Sequence, residues 1–146
     1  MFAGLRVAEV ARIRGEDFDL DARSLRVTGK GGKTAVIPLH DELICLAADM
    51  PSRGWWFPAG RGESGPIASK AVTVAMSRAM ARAGFTGHGH QLRHWYGSSL
   101  VAAGVDLRTV QELMRHENLA TTQIYTLVTD EARRSGIDRL ASPLAA

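Results

Sequence analysis

One cysteine, Cys45, is present among 146 residues, so no internal disulfide can brace the fold. It lies in the apolar run Leu43-Ile44-Cys45-Leu46-Ala47-Ala48, where a buried structural thiol is expected rather than a reactive one. No apolar stretch approaches the roughly 20 residues that span a bilayer, and no charged-then-apolar leader opens the chain. A soluble, reducing, cytoplasmic setting is expected from these absences. Net charge is also small: 18 Lys and Arg against 15 Asp and Glu leave +3, with a pI near 9.5. That balance permits nucleic-acid binding without demonstrating it. Aromatic residues are sparse, and the cluster Trp55-Trp56-Phe57-Pro58 is expected to pack in the core or at a domain edge rather than to stack on bases. The spacing His88-x-His90-x-x-x-His94 resembles a ligand set. Its neighbours are glycines, Gln91 and Arg93, however, and a cation beside a dication is unfavourable, so no metal and no other cofactor is expected.

What is present suits one domain with a real core. Val7, Val10, Ala11 and Ile13 have helical spacing and predict a helix over Val7 to Arg14, stopped by Gly15, with Arg6 at its start. Ser24 to Thr28 and Thr34 to Pro38 read as strands around Gly29-Lys30-Gly31-Gly32, a hairpin turn in which Lys30 has freedom to swing. Helices are predicted over Asp41 to Asp49, Ala68 to Ala83, His90 to Ala103 and Leu107 to His116, the last capped by Asp106. Pro51 to Gly65 connects two of them. Another helix should lead through Thr121-Thr122 to Tyr125, and a polar one should run from Thr129-Asp130 to about Leu140. The expected fold is therefore mainly α with a small antiparallel sheet.

Several residues in this framework are suited to phosphodiester chemistry. His90 and Arg93 fall one turn apart on the same helix face. His116 and Tyr125 follow, and Arg6 and Lys30 precede them. Attack at phosphorus loads charge onto the non-bridging oxygens, which the planar fork of a guanidinium matches two at a time. A lysine or histidine can protonate the leaving oxygen. A tyrosine can hold the phosphoryl group covalently until another hydroxyl displaces it. Taken singly, Arg6 is a solvated helix-end residue, Lys30 an ordinary turn lysine and Tyr125 a half-buried core tyrosine. Their combined spacing favours the catalytic reading.

Four stretches in register closely resemble the catalytic domain of tyrosine site-specific recombinases, the phage integrase family. They are Ala3-Gly4-Leu5-Arg6-Val7-Ala8-Glu9, the lysine hairpin Thr28 to Lys33, His90 to His94, and Arg115-His116 through Tyr125. The resemblance implies that Arg6 and Arg93 bind the scissile phosphate and that His116 donates a further hydrogen bond to it. It implies that Lys30 protonates the departing 5′ oxygen and that His90 manages the proton of Tyr125. Tyr125 would form a 3′-phosphotyrosine, resolved by a 5′ hydroxyl from a partner strand, with neither metal nor ATP. Double-stranded DNA attachment sites, a homotetramer on DNA and accessory DNA-bending proteins would be the partners, in a nucleoid-associated, bacterial or phage-encoded protein.

Departures from the pattern are Arg115, where glycine is usual, and Trp95-Tyr96-Gly97 after His94. The resemblance also implies an N-terminally truncated recombinase, with the whole of 1–146 forming the catalytic domain and no DNA-clamping domain before it. The tail from 129 to 146 is a candidate for docking onto a neighbouring protomer. His94 should buttress Arg93, His88 should be a loop residue, and Arg12, Arg14, Lys33 and Arg115 should join Arg6, Lys30 and Arg93 on one face. Related chemistry in type IB topoisomerases, an inactive recombinase remnant, and a non-catalytic helix-turn-helix-like module over Ala103 to Tyr125 are the competing readings.

Overall fold

The computed structural model describes residues 3–60 and 64–115, and of Lys30 the backbone only. The expectations for His116, Tyr125, the helix before Tyr125 and the tail from 129 lie outside the described residues. Helix α1 (Val7–Ala11) leads into a three-stranded antiparallel sheet of β1 (Phe18–Asp19), β2 (Ser24–Thr28) and β3 (Thr34–Pro38), in the order β1-β2-β3. Helices α2 (Asp41–Ala48), α3 (Ser69–Arg82), α4 (Gly89–Ala102) and α5 (Leu107–Met114) follow. The mainly helical architecture with a small sheet is the one expected.

Alternation drives the sheet. Leu25 and Val27 on β2 and Ile37 on β3 are buried while their neighbours face outward, and Leu25 pairs directly with Ile37. Ala3, Leu39 and the partly buried Leu5, Phe18, Leu43 and Ile44 complete this core. Elsewhere, α1 packs on α3, and α4 packs on α3 and α5. Val110 and Met114 are fully enclosed on α5. Asp106 caps that helix by accepting from the Thr109 amide at 2.9 Å.

Both long strands have the predicted limits. The first strand, two residues long, was not predicted, because it is too short to show a period. Helix α1 ends at Ala11 rather than Arg14: Arg14 turns extended, pairs with Trp55, and lays its guanidinium 3.8 Å from that ring's centroid. Trp56 stacks on Phe18 at 4.2 Å, in line with a packing role for the cluster.

Cys45 is exposed, which corrects the expectation of a buried thiol. On a helix, the run 43–48 cannot all face inward, and here Leu43, Ile44 and Ala47 take the core side. Helix α5 ends at Met114 rather than His116, because Arg115 adopts a left-handed conformation (φ 53, ψ 46). Among the described residues no helix is long and apolar enough to cross a membrane.

Candidate active site

Arg6 stands at the entry to α1, and Glu9, one turn on, folds back to hold it. The Arg6 amide donates to Glu9 Oε2 at 2.7 Å, and Arg6 Nη1 donates to Oε1 at 3.0 Å. Arg6 Nη2 reaches across the molecule to the Arg115 carbonyl at 3.1 Å. The side chain is still 46% exposed, so part of it remains accessible to a ligand.

Arg93 is held from the opposite side. It projects from α4 and is only 5% exposed. Its Nη1 donates to the Gly4 carbonyl and its Nη2 to the Met114 carbonyl. A planar fork is needed for this, since a lysine could not address two carbonyls in fixed directions. Two arginines far apart in sequence are thus both bound by consecutive carbonyls, 114 and 115, at the end of α5. The next residue is His116.

Gly4 makes the approach possible. Its φ is +54, and a methyl group there would sit 2.4 Å from Cδ1 of Tyr96, so backbone and ring share a space that only glycine leaves open. The Tyr96 phenol is half-buried. Burial raises its pKa, and the nearby Arg115 and Arg93 charges oppose that without cancelling it. At neutral pH it is a protonated packing group.

Arg115 turns its side chain back to Glu9, with Nη2 2.7 Å from Oε2. Glu9 therefore sits among Arg6, Arg115 and the hairpin base, where a methyl on Gly29 would be 3.5 Å from Oε1. Burial alone would raise the Glu9 carboxyl. The Arg6 amide bond and the Arg115 and Arg6 charges outweigh it, and the net shift is downward. Three guanidiniums against this one carboxylate leave the four-residue cluster with an excess of positive charge that an anion would offset.

His90 presents its Nε2 3.0 Å from Nε2 of His94, ring edge to ring face, with centroids 4.6 Å apart. His94 thus meets His90 rather than simply backing Arg93. Burial, then the His90 and Arg93 charges, lower its pKa. His88 caps α4, its amide donating to Gln91 Oε1 at 2.7 Å, as fits a residue at a loop-to-helix junction. No group of three or more possible metal ligands occurs among the described residues.

Of the expected site residues, Arg6 and Arg93 come together, and His90 lies one turn before Arg93 on α4. The backbone of Lys30 forms the tip of the β2–β3 hairpin, whose base abuts Glu9. His116 and Tyr125 are outside the described residues. Arg115 joins the cluster, whereas Arg14 is engaged with Trp55 and Glu16. Glu9 and the pairing role of Arg115 were not anticipated as site features. The Arg-x-x-Glu spacing, which allows a helix-entry residue to meet its third neighbour, was the available signal for Glu9.

The chain belongs to the phage integrase family, whose sequence profile matches residues 1–132. It is 35% identical over 144 residues to tyrosine recombinase XerA of Pyrococcus horikoshii, covering 94% of this chain and 50% of that protein. It is 36% identical over 132 residues to tyrosine recombinase XerC of Xylella fastidiosa, covering 85% and 44%. The solved integrase from mycobacterium phage Brujita superposes with a TM-score of 0.75 at 51% identity, covering 96% of this chain and 48% of that one. The chain therefore spans about half the length of the relatives it matches.

Proposed function

We propose that residues 1–146 form the catalytic domain of a site-specific DNA recombinase that breaks and rejoins strands through Tyr125. The observation that carries this reading is the convergence of the Arg6 and Arg93 guanidiniums on the carbonyls of residues 115 and 114, directly before His116. A phosphate against the exposed part of Arg6 would meet a positive cluster already fixed by protein carbonyls and Glu9. Such fixed charges need no reorganisation when charge develops on the phosphoryl oxygens.

The reaction is two transesterifications. Tyr125 Oη bonds to phosphorus as the phosphorus–5′ oxygen bond breaks, and Lys30 supplies the proton taken by that oxygen. A 5′ hydroxyl from a partner strand then attacks phosphorus and releases the tyrosine. The phosphodiester count is unchanged, so no energy source is consumed. His90 receives or returns the tyrosine proton, its Nε2 lying 3.0 Å from the His94 ring nitrogen. Double-stranded DNA is the substrate, and recombination joins two sites within a tetramer. Docking of the 129–146 tail onto a neighbouring protomer belongs to the same proposal.

Covalent trapping tests it, using nicked duplexes tiled across the DNA that flanks the gene. The native protein is expected to form a detergent-resistant adduct that Tyr125→Phe abolishes while DNA binding persists. Binding without any adduct from the full-length gene product would overturn the catalytic reading.

A further inference from the structure

We infer that Arg115 is a positioning residue for Arg6, acting through the Glu9 carboxylate; the inference rests on the reading of Arg6 as a phosphate ligand. Arg115 occupies a left-handed backbone conformation that glycine adopts without strain, yet it carries a long cationic side chain there. That side chain is not spread into solvent: it is 11% exposed and turned to Glu9. Its Nη2 bonds to Oε2, the same oxygen that accepts from the Arg6 amide, while Oε1 takes Arg6 Nη1. The Arg115 carbonyl takes Arg6 Nη2. Residue 115 therefore restrains Arg6 twice, once by its own carbonyl and once by fixing the carboxylate that holds the other guanidinium nitrogen.

Arg115 also changes the charge that Arg6 offers. With two guanidiniums sharing one carboxylate, Arg6 is only partly neutralised and keeps attraction for an anion. Without Arg115, Glu9 would keep only its Arg6 contacts, and its whole charge would compete with a phosphate for the Arg6 donors. The link ties α1, near one end of the described chain, to the last turn of α5, from which His116 follows. A glycine at 115 would relieve the backbone and lose this coupling.

The test compares the native protein with Arg115→Gly, Arg115→Lys, Glu9→Gln and the Glu9→Gln/Arg115→Gly pair. Thermal melts check folding, and nitrogen-edited NMR of the Arg6 guanidinium, assigned with Arg6→Lys, reports its restraint without DNA. Adduct formation on the tiled nicked duplexes separates the rate at saturating DNA from the half-saturating concentration. Arg115→Gly is expected to remain folded at the assay temperature, release the Arg6 Nη rotation, and slow saturated adduct formation about tenfold or more. Half-saturation should move by less than about twofold, and Arg115→Lys should restore part of the rate. In the Glu9→Gln background the glycine change should add little.

Unaltered Arg6 signals and an unaltered rate in Arg115→Gly would overturn the inference. So would a loss of equal size in the Glu9→Gln background. If Arg115→Gly fails to fold, Arg115→Met, which keeps the packing volume without the charge, takes its place: a released Arg6 guanidinium decides for the inference and an unaltered one decides against it. Released Arg6 rotation with no adduct from any protein, native included, would sustain the positioning and reject the recombinase reading.

Discussion

Glu9 stays ionised with 5% of its surface exposed because the Arg6 amide, the Arg6 guanidinium and the Arg115 guanidinium all donate to it. Its pKa is lowered on folding, so the folded state binds fewer protons than the unfolded chain around the carboxylate range. The resulting stability is complete above the ordinary glutamate value, about 4.3, and is lost as the pH falls through the lower folded value. Urea unfolding between about pH 3 and 6 should show the advantage of native protein over Glu9→Gln shrinking as acid is added. Glu16 and Asp106 are shifted the same way, but they occur in both proteins and cancel. Parallel curves would mean that Glu9 is not held ionised. Gly4 tests the other arginine: Gly4→Ala meets both a positive φ and the Tyr96 ring. Its unfolding free energy should fall by about 2–4 kcal/mol, and a loss under about 0.5 kcal/mol would mean the ring yields freely.

Between elements, the hairpin and the end of α5 do the positioning. The β2–β3 turn runs through Gly31 and Gly32 at φ 74 and 76, with open space where side chains would be. Any penalty there is conformational: Gly31→Ala should cost about 1 kcal/mol and Gly31→Asn less, since asparagine tolerates the left-handed region. Equal urea midpoints for native and alanine proteins would contradict that turn geometry. Ser24–Thr28 and Thr34–Pro38 were legible from sequence because alternation and a glycine turn are local signals. The same holds for the Asp106 cap. Phe18–Asp19 and the exposure of Cys45 were not, since the first depends on a partner strand and the second on which side of α2 meets the sheet. The ion pair of Glu9 with Arg115 was equally hidden, because it exists only when α1 and α5 meet. The arginines themselves were legible as chemistry, but not the carbonyls that hold them.

At the scale of the whole molecule, a chain of net charge +3 acquires a strongly cationic site by bringing together Arg6, Arg93 and Arg115 rather than by overall basicity. The fold closes its two ends of described chain on each other, so that the entry to α1 and the exit of α5 form one surface. What the proposal asks of this surface is a single covalent event, and the sequence holds only two tyrosines, Tyr96 and Tyr125. Tyr96 is half-buried, protonated and wedged over Gly4, which disfavours it as a nucleophile. The most direct test is therefore to digest the trapped protein–DNA adduct and find by mass spectrometry which residue carries the nucleotide. A nucleotide on the peptide containing Tyr125 is the predicted result; one on Tyr96, or on a residue other than tyrosine, would contradict the account.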